Sequence, residues 1–72
     1  MTPDVMSGRV IWFTRARGYG FIKPDLETEP DVFVHARDVV GRKDLFADDR
    51  VEFEVLRSRY GGTLAQKVRR VW

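Results

Sequence analysis

The chain has 72 residues, enough for one domain with a small core. It has no cysteine, which excludes disulfides and thiolate metal sites, and no apolar run long enough to span a membrane. The net charge of +2 is too small to indicate a nucleic-acid partner by itself, and together these features lead us to expect a soluble, cytoplasmic protein of modest stability.

The strands can be placed in chain order from the alternation of apolar residues and from the turn-forming residues between them. Residues 1–6 show no periodicity, and we expect a flexible tail there. The first strand is predicted over Arg9–Phe13. The second covers Tyr19–Lys23 and ends at Pro24, after which an acidic turn leads into a third strand at Asp31–His35.

Aromatic side chains alternate along the second and third strands. Tyr19 and Phe21 lie two residues apart, as do Phe33 and His35, so each pair shares one face of its strand. The opposite faces carry apolar core candidates: Ile22, Val32 and Val34. The rings are then left to face outward, and an exposed row of rings usually indicates a binding surface, although alternating aromatic residues also occur in cores. Aromatic platforms are typical of single-stranded nucleic-acid binding, at about 1–3 kcal/mol per stacked base.

Gly18 and Gly20 alternate with the first pair of rings. Because glycine has no side chain, we expect these two positions to let a ligand's backbone come close and a base lie flat. The same glycines imitate part of a dinucleotide-binding fingerprint, but the third glycine and the following helix of that fingerprint are missing.

The rest of the chain is predicted to form a long loop and a final hairpin. Residues Ala36–Ala47 form the loop, which has room for one helical turn. Strand four follows over residues 51–56, with a core-facing set of Val51, Phe53 and Val55. The turn Tyr60–Gly62 then leads into strand five, at Leu64–Val71.

Charges are segregated along the chain. Residues 7–23 and 57–72 carry cations without acids, whereas acids crowd residues 25–31 and 44–54. If the fold brings the first two strands and the last hairpin to one side, a basic rim would border the rings. The alternative is a solvated surface of mixed charge.

Three motifs in this order resemble bacterial cold-shock proteins. They are Gly8–Phe13 as the opening strand, Arg17–Ile22 as the first ribonucleoprotein motif and Val32–His35 as the second. The resemblance implies one cold-shock domain over residues 7–72, an all-β, five-stranded antiparallel Greek-key barrel of the oligonucleotide-binding (OB-fold) type. The RNA-recognition motif has a similar segment, but it places the two motifs in the reverse order and needs two helices.

The resemblance also implies which residues contact nucleic acid. The family's base-stacking positions correspond to Trp12, Tyr19, Phe21, Phe33 and His35. Arg17 matches its basic residue before the first motif, and Asp31 its acceptor for a base edge, although an aspartate before a strand is commonly a turn residue. Weaker candidates are Arg9 and Arg15 for phosphate contacts, Phe13 as half core and half platform, and Arg59 and Tyr60 in the last hairpin. Because the family exposes the tryptophan and buries the valine of the first strand, a β-bulge is expected between Val10 and Trp12.

His35 is the only histidine, and neither a cysteine nor a pair of carboxylates with ligand spacing accompanies it. A metal site or a general base is therefore not expected there, and stacking on a base explains the ring better. No constellation of nucleophile, base and orienting group can be assembled from the sequence, so we expect neither an enzyme nor a cofactor.

Departures from the family concern the nucleic-acid face. Ala36 stands where an aromatic residue usually follows the histidine, so one stacking position lacks a ring. Ile11 replaces a common lysine, and the loop lacks the family's phenylalanine. Phe46 is an additional aromatic residue that either covers the core or extends the ring surface. Each lost stack would weaken binding by about 1–3 kcal/mol.

Two functions therefore remain open. The resemblance implies a monomeric binder of single-stranded RNA and DNA with weak sequence preference and no membrane or small-molecule partner. In the family this activity serves RNA chaperoning, transcription antitermination and adaptation to cold. The alternative is a protein-interaction barrel that docks on the transcription or translation machinery. Ala36, Ile11 and the acidic middle of the chain favour the alternative, whereas retention of both ribonucleoprotein motifs argues against it.

Overall fold

The computed structural model describes residues 4–41, 44–59 and 61–71. Along these residues the chain forms five strands and one short helix. The strands are β1 (Asp4–Thr14), β2 (Tyr19–Pro24), β3 (Val32–His35), β4 (Arg50–Arg57) and β5 (Thr63–Arg70), and a 3-10 helix at Ala36–Asp38 follows β3. The strands predicted second to fifth in the sequence are all present, and only the first differs substantially in length.

The described strands close into a barrel in the order β1-β2-β3-β5-β4. Neighbouring strands pair in antiparallel fashion except for β3 and β5, which pair in parallel at Phe33 and Leu64. A ring with an odd number of strands cannot alternate direction throughout, so one pairing has to be parallel. The predicted five-stranded barrel is confirmed, and it closes through one parallel pairing, between β3 and β5.

The core is filled from alternate positions of the strands, because successive side chains point to opposite sides of a barrel wall. In β4, Val51, Phe53 and Val55 are buried, while Glu52 and Glu54 between them are half-buried. The face predicted for strand four is therefore confirmed. The buried apolar residues of the described chain are Val10, Ile22, Val32, Val34, Val39, Leu45, Val51, Phe53, Val55, Ala65 and Val68.

β1 contains the predicted bulge. Val10 pairs with Ile22 of β2, but the next pairing joins Trp12 to Phe21, so Ile11 is an extra residue in β1. Val10 is fully buried, whereas Ile11 and Trp12 are 39% and 43% exposed. The extra residue thus turns two consecutive large side chains away from the core.

β1 begins earlier than the sequence pattern predicts. Residues 4–9 pair with β4 in antiparallel register, and Met6 packs against the core. The flexible tail expected over residues 1–6 is therefore wrong for residues 4–6. The reason is that β4 presents an open row of backbone donors and acceptors, which this part of the chain satisfies whatever its own periodicity. Residues 1–3 lie outside the described part of the chain.

The segment between β3 and β4 contributes to the core. It begins with the 3-10 helix, which confirms the helical turn predicted in this loop. Val39 and Leu45 follow and are both buried, and Val39 also forms a bridge to Val68 of β5. Phe46 is 49% exposed, so Leu45 covers the core and Phe46 does not. Neither buried residue belongs to a strand or helix period, and the sequence pattern therefore does not reveal them.

Candidate nucleic-acid interface

Four aromatic side chains from three strands form one continuous surface, which we call the ring cluster: Trp12, Tyr19, Phe21 and Phe33. The ring centroid of Trp12 lies 5.5 Å from that of Phe21 and 5.7 Å from that of Tyr19. The Phe33 centroid lies 5.6 Å from Phe21 and 5.7 Å from Tyr19. Trp12 is exposed and the other three rings are half-buried, so the cluster presents aromatic surface to solvent.

Strand register explains why these rings meet. Phe21 lies opposite Phe33 across β2 and β3, and Trp12 lies opposite Phe21 across β1 and β2. Along β2 and β3 the rings alternate with buried residues, as the two-residue period of a strand requires. The outward direction predicted for these rings is therefore confirmed.

Gly20 is required by the bulge of β1. It lies opposite Phe13 and is buried, and a Cβ atom added to it would overlap the carbonyl oxygen of Trp12 and come within 2.8 Å of the Phe13 Cα. The expectation that Gly20 makes room for a ligand is wrong, because its missing side chain makes room for β1 instead. Gly18 serves the turn between β1 and β2, since its φ of +74° is a conformation that other residues rarely adopt.

His35 extends the ring surface at the end of β3, directly opposite Tyr19. Its side chain is half-buried and caps the 3-10 helix, because its Nδ1 accepts a hydrogen bond from the backbone N–H of Arg37 at 3.2 Å. With Nδ1 used as an acceptor, the neutral ring carries its proton on Nε2. The ring is thereby held in a defined orientation beside the cluster.

Phe13 and Asp31 differ in how closely they join this surface. Phe13 was predicted to be half core and half platform. It is half-buried and packs against the core, which confirms the core half of that prediction. Asp31 is exposed and directly precedes β3.

The candidate cations lie at two ends of the ring cluster. Arg17 is exposed in the turn before β2, and no described carboxylate forms an ion pair with it. Arg9 lies opposite Lys23 across β1 and β2, at the other end of the cluster. Lys23 belongs to the cation-rich residues 7–23 of the expected basic rim but was not predicted as a contact residue, although its position two residues after Phe21 was an available signal. Arg15 is bound to Asp44 at 3.4 Å, so its charge is partly neutralised.

The cations of the C-terminal segment are mostly paired with acids. The ion pairs are Arg57–Glu29 at 3.1 Å, Lys67–Glu54 at 3.8 Å, Arg69–Glu52 at 3.6 Å and Arg70–Asp49 at 3.4 Å. Arg59 is exposed in the turn after β4, and Tyr60 lies outside the described residues. Much of the predicted basic rim is therefore neutralised, and the alternative of mixed charge describes this side of the barrel.

Asp25 and Arg50 form a two-pronged ion pair between the end of β2 and the start of β4. The Asp25 Oδ1 and Oδ2 atoms accept hydrogen bonds from the guanidinium at 2.9 and 2.7 Å. These hydrogen bonds hold the pKa of Asp25 below its ordinary value of 3.8 and raise the pKa of Arg50.

Ala36 begins the 3-10 helix at the Arg17 end of the ring cluster. Its backbone N–H donates to the carbonyl oxygen of Gly18 at 2.8 Å, and its Cβ lies beside that glycine. The side chain of Ala36 is half-buried and carries no ring, as the sequence shows.

The described residues offer neither a metal-binding cluster nor a membrane-spanning helix. Their histidine, aspartate and glutamate side chains include no group of three that could hold a metal ion. Within the same residues, no helix has the length and apolar character needed to cross a membrane.

Comparisons with known proteins agree on one family. The family model described as the 'Cold-shock' DNA-binding domain matches residues 6–71. Cold shock protein CspA of Rhizobium meliloti is 40% identical over 58 residues, which cover 78% of this chain and 83% of that protein. Cold shock-like protein CspE of Escherichia coli is 38% identical over 65 residues, which cover 88% of this chain and 93% of that protein.

Longer proteins also match. Cold shock protein 1 of Arabidopsis thaliana is 39% identical over 64 residues, which cover 86% of this chain but only 21% of that protein. Among solved structures, the Drosophila Unr CSD456 structure superposes with a TM-score of 0.77 at 20% identity, over 97% of this chain and 28% of that chain. At that identity the likeness concerns the fold alone.

Proposed function

The chain belongs to the 'cold-shock' DNA-binding domain family of nucleic-acid-binding proteins, and from this premise we propose that it binds single-stranded RNA and DNA through the ring cluster. The observation that carries the proposal is the contiguity of the four rings, whose neighbouring centroids lie 5.5–5.7 Å apart on the outside of the barrel. Four adjacent π-faces suit consecutive unpaired bases, because every base can stack on an aromatic ring.

In the proposed mechanism, stacking supplies most of the affinity and charge supplies the rest. Each base stacked on a ring contributes about 1–3 kcal/mol without reading its hydrogen-bonding edge, which accounts for weak sequence preference. Arg17 lies at one end of the cluster and Lys23 at the other, where both can attract phosphates. Binding should therefore weaken as salt is added.

The cellular role that we infer is competition with RNA secondary structure. A base that lies on a ring cannot pair in a hairpin, so the bound segment of a transcript stays open. This effect would serve RNA chaperoning and transcription antitermination, and it requires no cofactor and no chemical step. We infer a cytoplasmic location for this role.

The deciding experiment is a fluorescence titration. Trp12 is 43% exposed within the cluster, so stacking of a base on its ring should quench its emission. The second tryptophan, Trp72, is removed by Trp72→Phe to leave a single reporter. We expect saturable quenching by thymidine or uridine oligonucleotides at low salt, with dissociation constants in the micromolar range or tighter.

A matched duplex is the control for simple charge attraction. Its bases are already stacked on one another, so it should bind much more weakly than either single strand. Equal affinity for duplex and single strand would show that charge alone is responsible. No quenching at high oligonucleotide concentration in folded protein would contradict the proposal and favour the protein-interaction barrel.

A further inference from the structure

A cleft of about 390 Å³ lies at the Lys23 end of β2, beside the β1 bulge that carries Trp12. We call it the Lys23 cleft, and its lining includes Arg9, Ile11, Lys23, Pro24, Glu27 and Asp48. Lys23 follows Phe21 by two residues on β2, so the two side chains lie on the same outward face. Ile11 directly precedes Trp12 in the bulge, and both are exposed. A strand that leaves the rings in this direction therefore enters the cleft.

The walls of the cleft are held by backbone hydrogen bonds. The N–H of Asp48 donates to the carbonyl oxygen of Val10 at 2.8 Å, and the N–H of Val10 donates to the carbonyl oxygen of Asp49 at 3.0 Å. The same turn is closed by an Oδ2 atom of Asp49, which accepts from the N–H of Phe46 at 3.0 Å. The position of Asp48 is thus set by the main chain, as a largely pre-formed ligand site requires.

The lining combines three kinds of chemistry. Ile11 is apolar and exposed and suits the plane of a base, whereas Pro24 is buried and lies behind the surface of the cleft. Arg9 and Lys23 lie opposite each other across β1 and β2, and neither forms an ion pair with a described residue, so both can attract a phosphate. The third kind consists of carboxylates, which lie in the turn after β2 and in the turn before β4.

The acids that line the cleft are Asp25, Glu27 and Asp48, and two of these three are available to a ligand. Both oxygens of Asp25 accept hydrogen bonds from Arg50, which occupies that carboxylate. Glu27 and Asp48 are exposed, and no described cation forms an ion pair with either. An ionised carboxylate only accepts hydrogen bonds, so these two groups select for ligand edges that donate.

We propose that the Lys23 cleft holds the base next to those stacked on the ring cluster and prefers a base with an amino group on its pairing edge, guanine above all. The inference rests on the proposed function, because it needs a strand already on the rings. Guanine offers adjacent N–H groups at N1 and N2, which match the two oxygens of one carboxylate. Thymine and uracil offer one N–H between two carbonyl oxygens, which a carboxylate repels. The cleft would thus add base selectivity to the ring cluster, whose stacking gives only weak sequence preference.

The test compares thymidine heptamers that differ in one terminal base. A guanine at the end that reaches the cleft should bind about fivefold or more tightly than thymine there, whereas guanine at the opposite end should change little. Hypoxanthine keeps the ring system and N1–H of guanine but lacks the amino group, so it should lose part of the gain. This base separates hydrogen bonding from the greater stacking area of a purine.

Two protein variants assign the preference to the cleft. Glu27→Gln and Asp48→Asn retain side-chain size but replace acceptor-only groups, and asparagine tolerates the φ of +71° at position 48. The affinity ratio of guanine to thymine should fall in the double variant. Glu52→Gln is the matched control, because it removes one negative charge from β4 outside the cleft and should leave the ratio unchanged. Thermal melts establish that each variant is folded.

The outcomes separate this inference from the proposed function. If the all-thymidine heptamer fails to bind, the ring-cluster function itself is wrong. If it binds but guanine gives no gain at either end, the Lys23 cleft has no base preference and the inference is overturned. A guanine gain that persists undiminished in the folded double variant would overturn it as well.

Discussion

At the scale of single residues, each ring of the cluster contacts two others, and under the proposed function the removal of one ring should weaken binding without altering charge. Phe33 lies against both Tyr19 and Phe21, and the residues that flank it along β3 fill the core. In the proposed mechanism, the cations act through long-range attraction to phosphate instead. Stacking and attraction can therefore be separated by the response of affinity to salt.

Phe33→Ala should weaken binding of a thymidine oligonucleotide by about 1–3 kcal/mol. The slope of log affinity against log salt should stay nearly constant, because phenylalanine carries no charge. Fluorescence titrations at several salt concentrations measure both quantities. If folded Phe33→Ala protein binds as tightly as the parent, stacking on this ring is not part of the mechanism.

Arg17→Ala should show the opposite signature. Loss of one phosphate contact on a single strand should flatten the salt slope by about 0.7. The same titration series measures this slope. Arg59→Ala, in the turn between β4 and β5, provides the corresponding slope for the candidate cation of the last hairpin. An unchanged slope for Arg17→Ala would remove Arg17 from the interface.

Gly20→Ala tests the close approach of β1 and β2. The added methyl group would collide with the main chain at Trp12 and Phe13, so the strands must separate there. We expect a loss of about 1–3 kcal/mol in the free energy of unfolding, measured by urea denaturation. Gly62→Ala is the control, because a Cβ atom at Gly62 would meet nothing within 4 Å. Equal stability of the two variants would show that the bulge accommodates a side chain.

At the scale of elements, the 3-10 helix and the bulge of β1 define the two ends of the candidate surface. The helix begins at Ala36, next to the turn that carries Arg17, whereas the bulge leads toward the Lys23 cleft. Both are short departures from regular strand geometry. Under the proposed function, they mark where a bound strand would enter and leave the rings.

Ala36→Phe should add a stacking position at the helix end. The hypothesis is that the alanine leaves this position without a ring, because the family pattern has an aromatic residue after the histidine. The gain should reach about 1–3 kcal/mol for an oligonucleotide long enough to extend past His35. It should be close to zero for one that is too short. Titrations with a length series make the comparison.

Length dependence also supplies the control for Ala36→Phe. A general increase in hydrophobic adhesion would strengthen long and short oligonucleotides alike. If the folded variant binds long strands no better than the parent does, the bound strand follows another path and the helix end is not a stacking position.

At the scale of the whole molecule, ion pairs connect segments that are distant in sequence. The Asp25–Arg50 pair joins the end of β2 to the start of β4, and Arg57 reaches Glu29 in the turn before β3. These exposed pairs connect segments that share no hydrogen-bonded ladder. Surface ion pairs contribute modestly to stability and are weakened by salt.

Stability should depend on the ionisation of Asp25. Its pKa is lowered in the folded chain, chiefly by the hydrogen bonds from Arg50, so the stabilisation is present above the ordinary value of 3.8 and is lost as pH falls through the lowered value. Asp25→Asn should therefore lower the melting temperature at neutral pH, and the difference from the parent should vanish in strong acid. Melting curves recorded across the acid range by circular dichroism measure it.

Glu27→Gln is the matched control, since it removes a carboxylate from the same turn that forms no ion pair with a described residue. Across the acid range, its melting temperature should follow that of the parent with a constant difference. If Asp25→Asn does so too, the pair with Arg50 contributes nothing to stability in solution.

Local pattern was sufficient for most of the strands and for the direction of the rings. The alternation of Val32 and Val34 with Phe33 assigns the two faces of β3 without any knowledge of its neighbours, because a strand has a period of two. The same holds for Val51, Phe53 and Val55 in β4. The bulge in β1 was predictable only from the resemblance to a family.

By itself, then, the sequence determined which residues form strands β2 to β5, which faces are apolar and that the aromatic residues of β2 and β3 lie outward. Tertiary structure alone decided that residues 4–6 belong to β1, that Val39 and Leu45 are buried, and that Gly20 makes room for β1. It also decided which cations are neutralised and created the Lys23 cleft. The physical reason is the range of the forces involved: periodicity is a property of neighbouring residues, whereas strand closure, ion pairing and cavities depend on segments that only the closed barrel brings together.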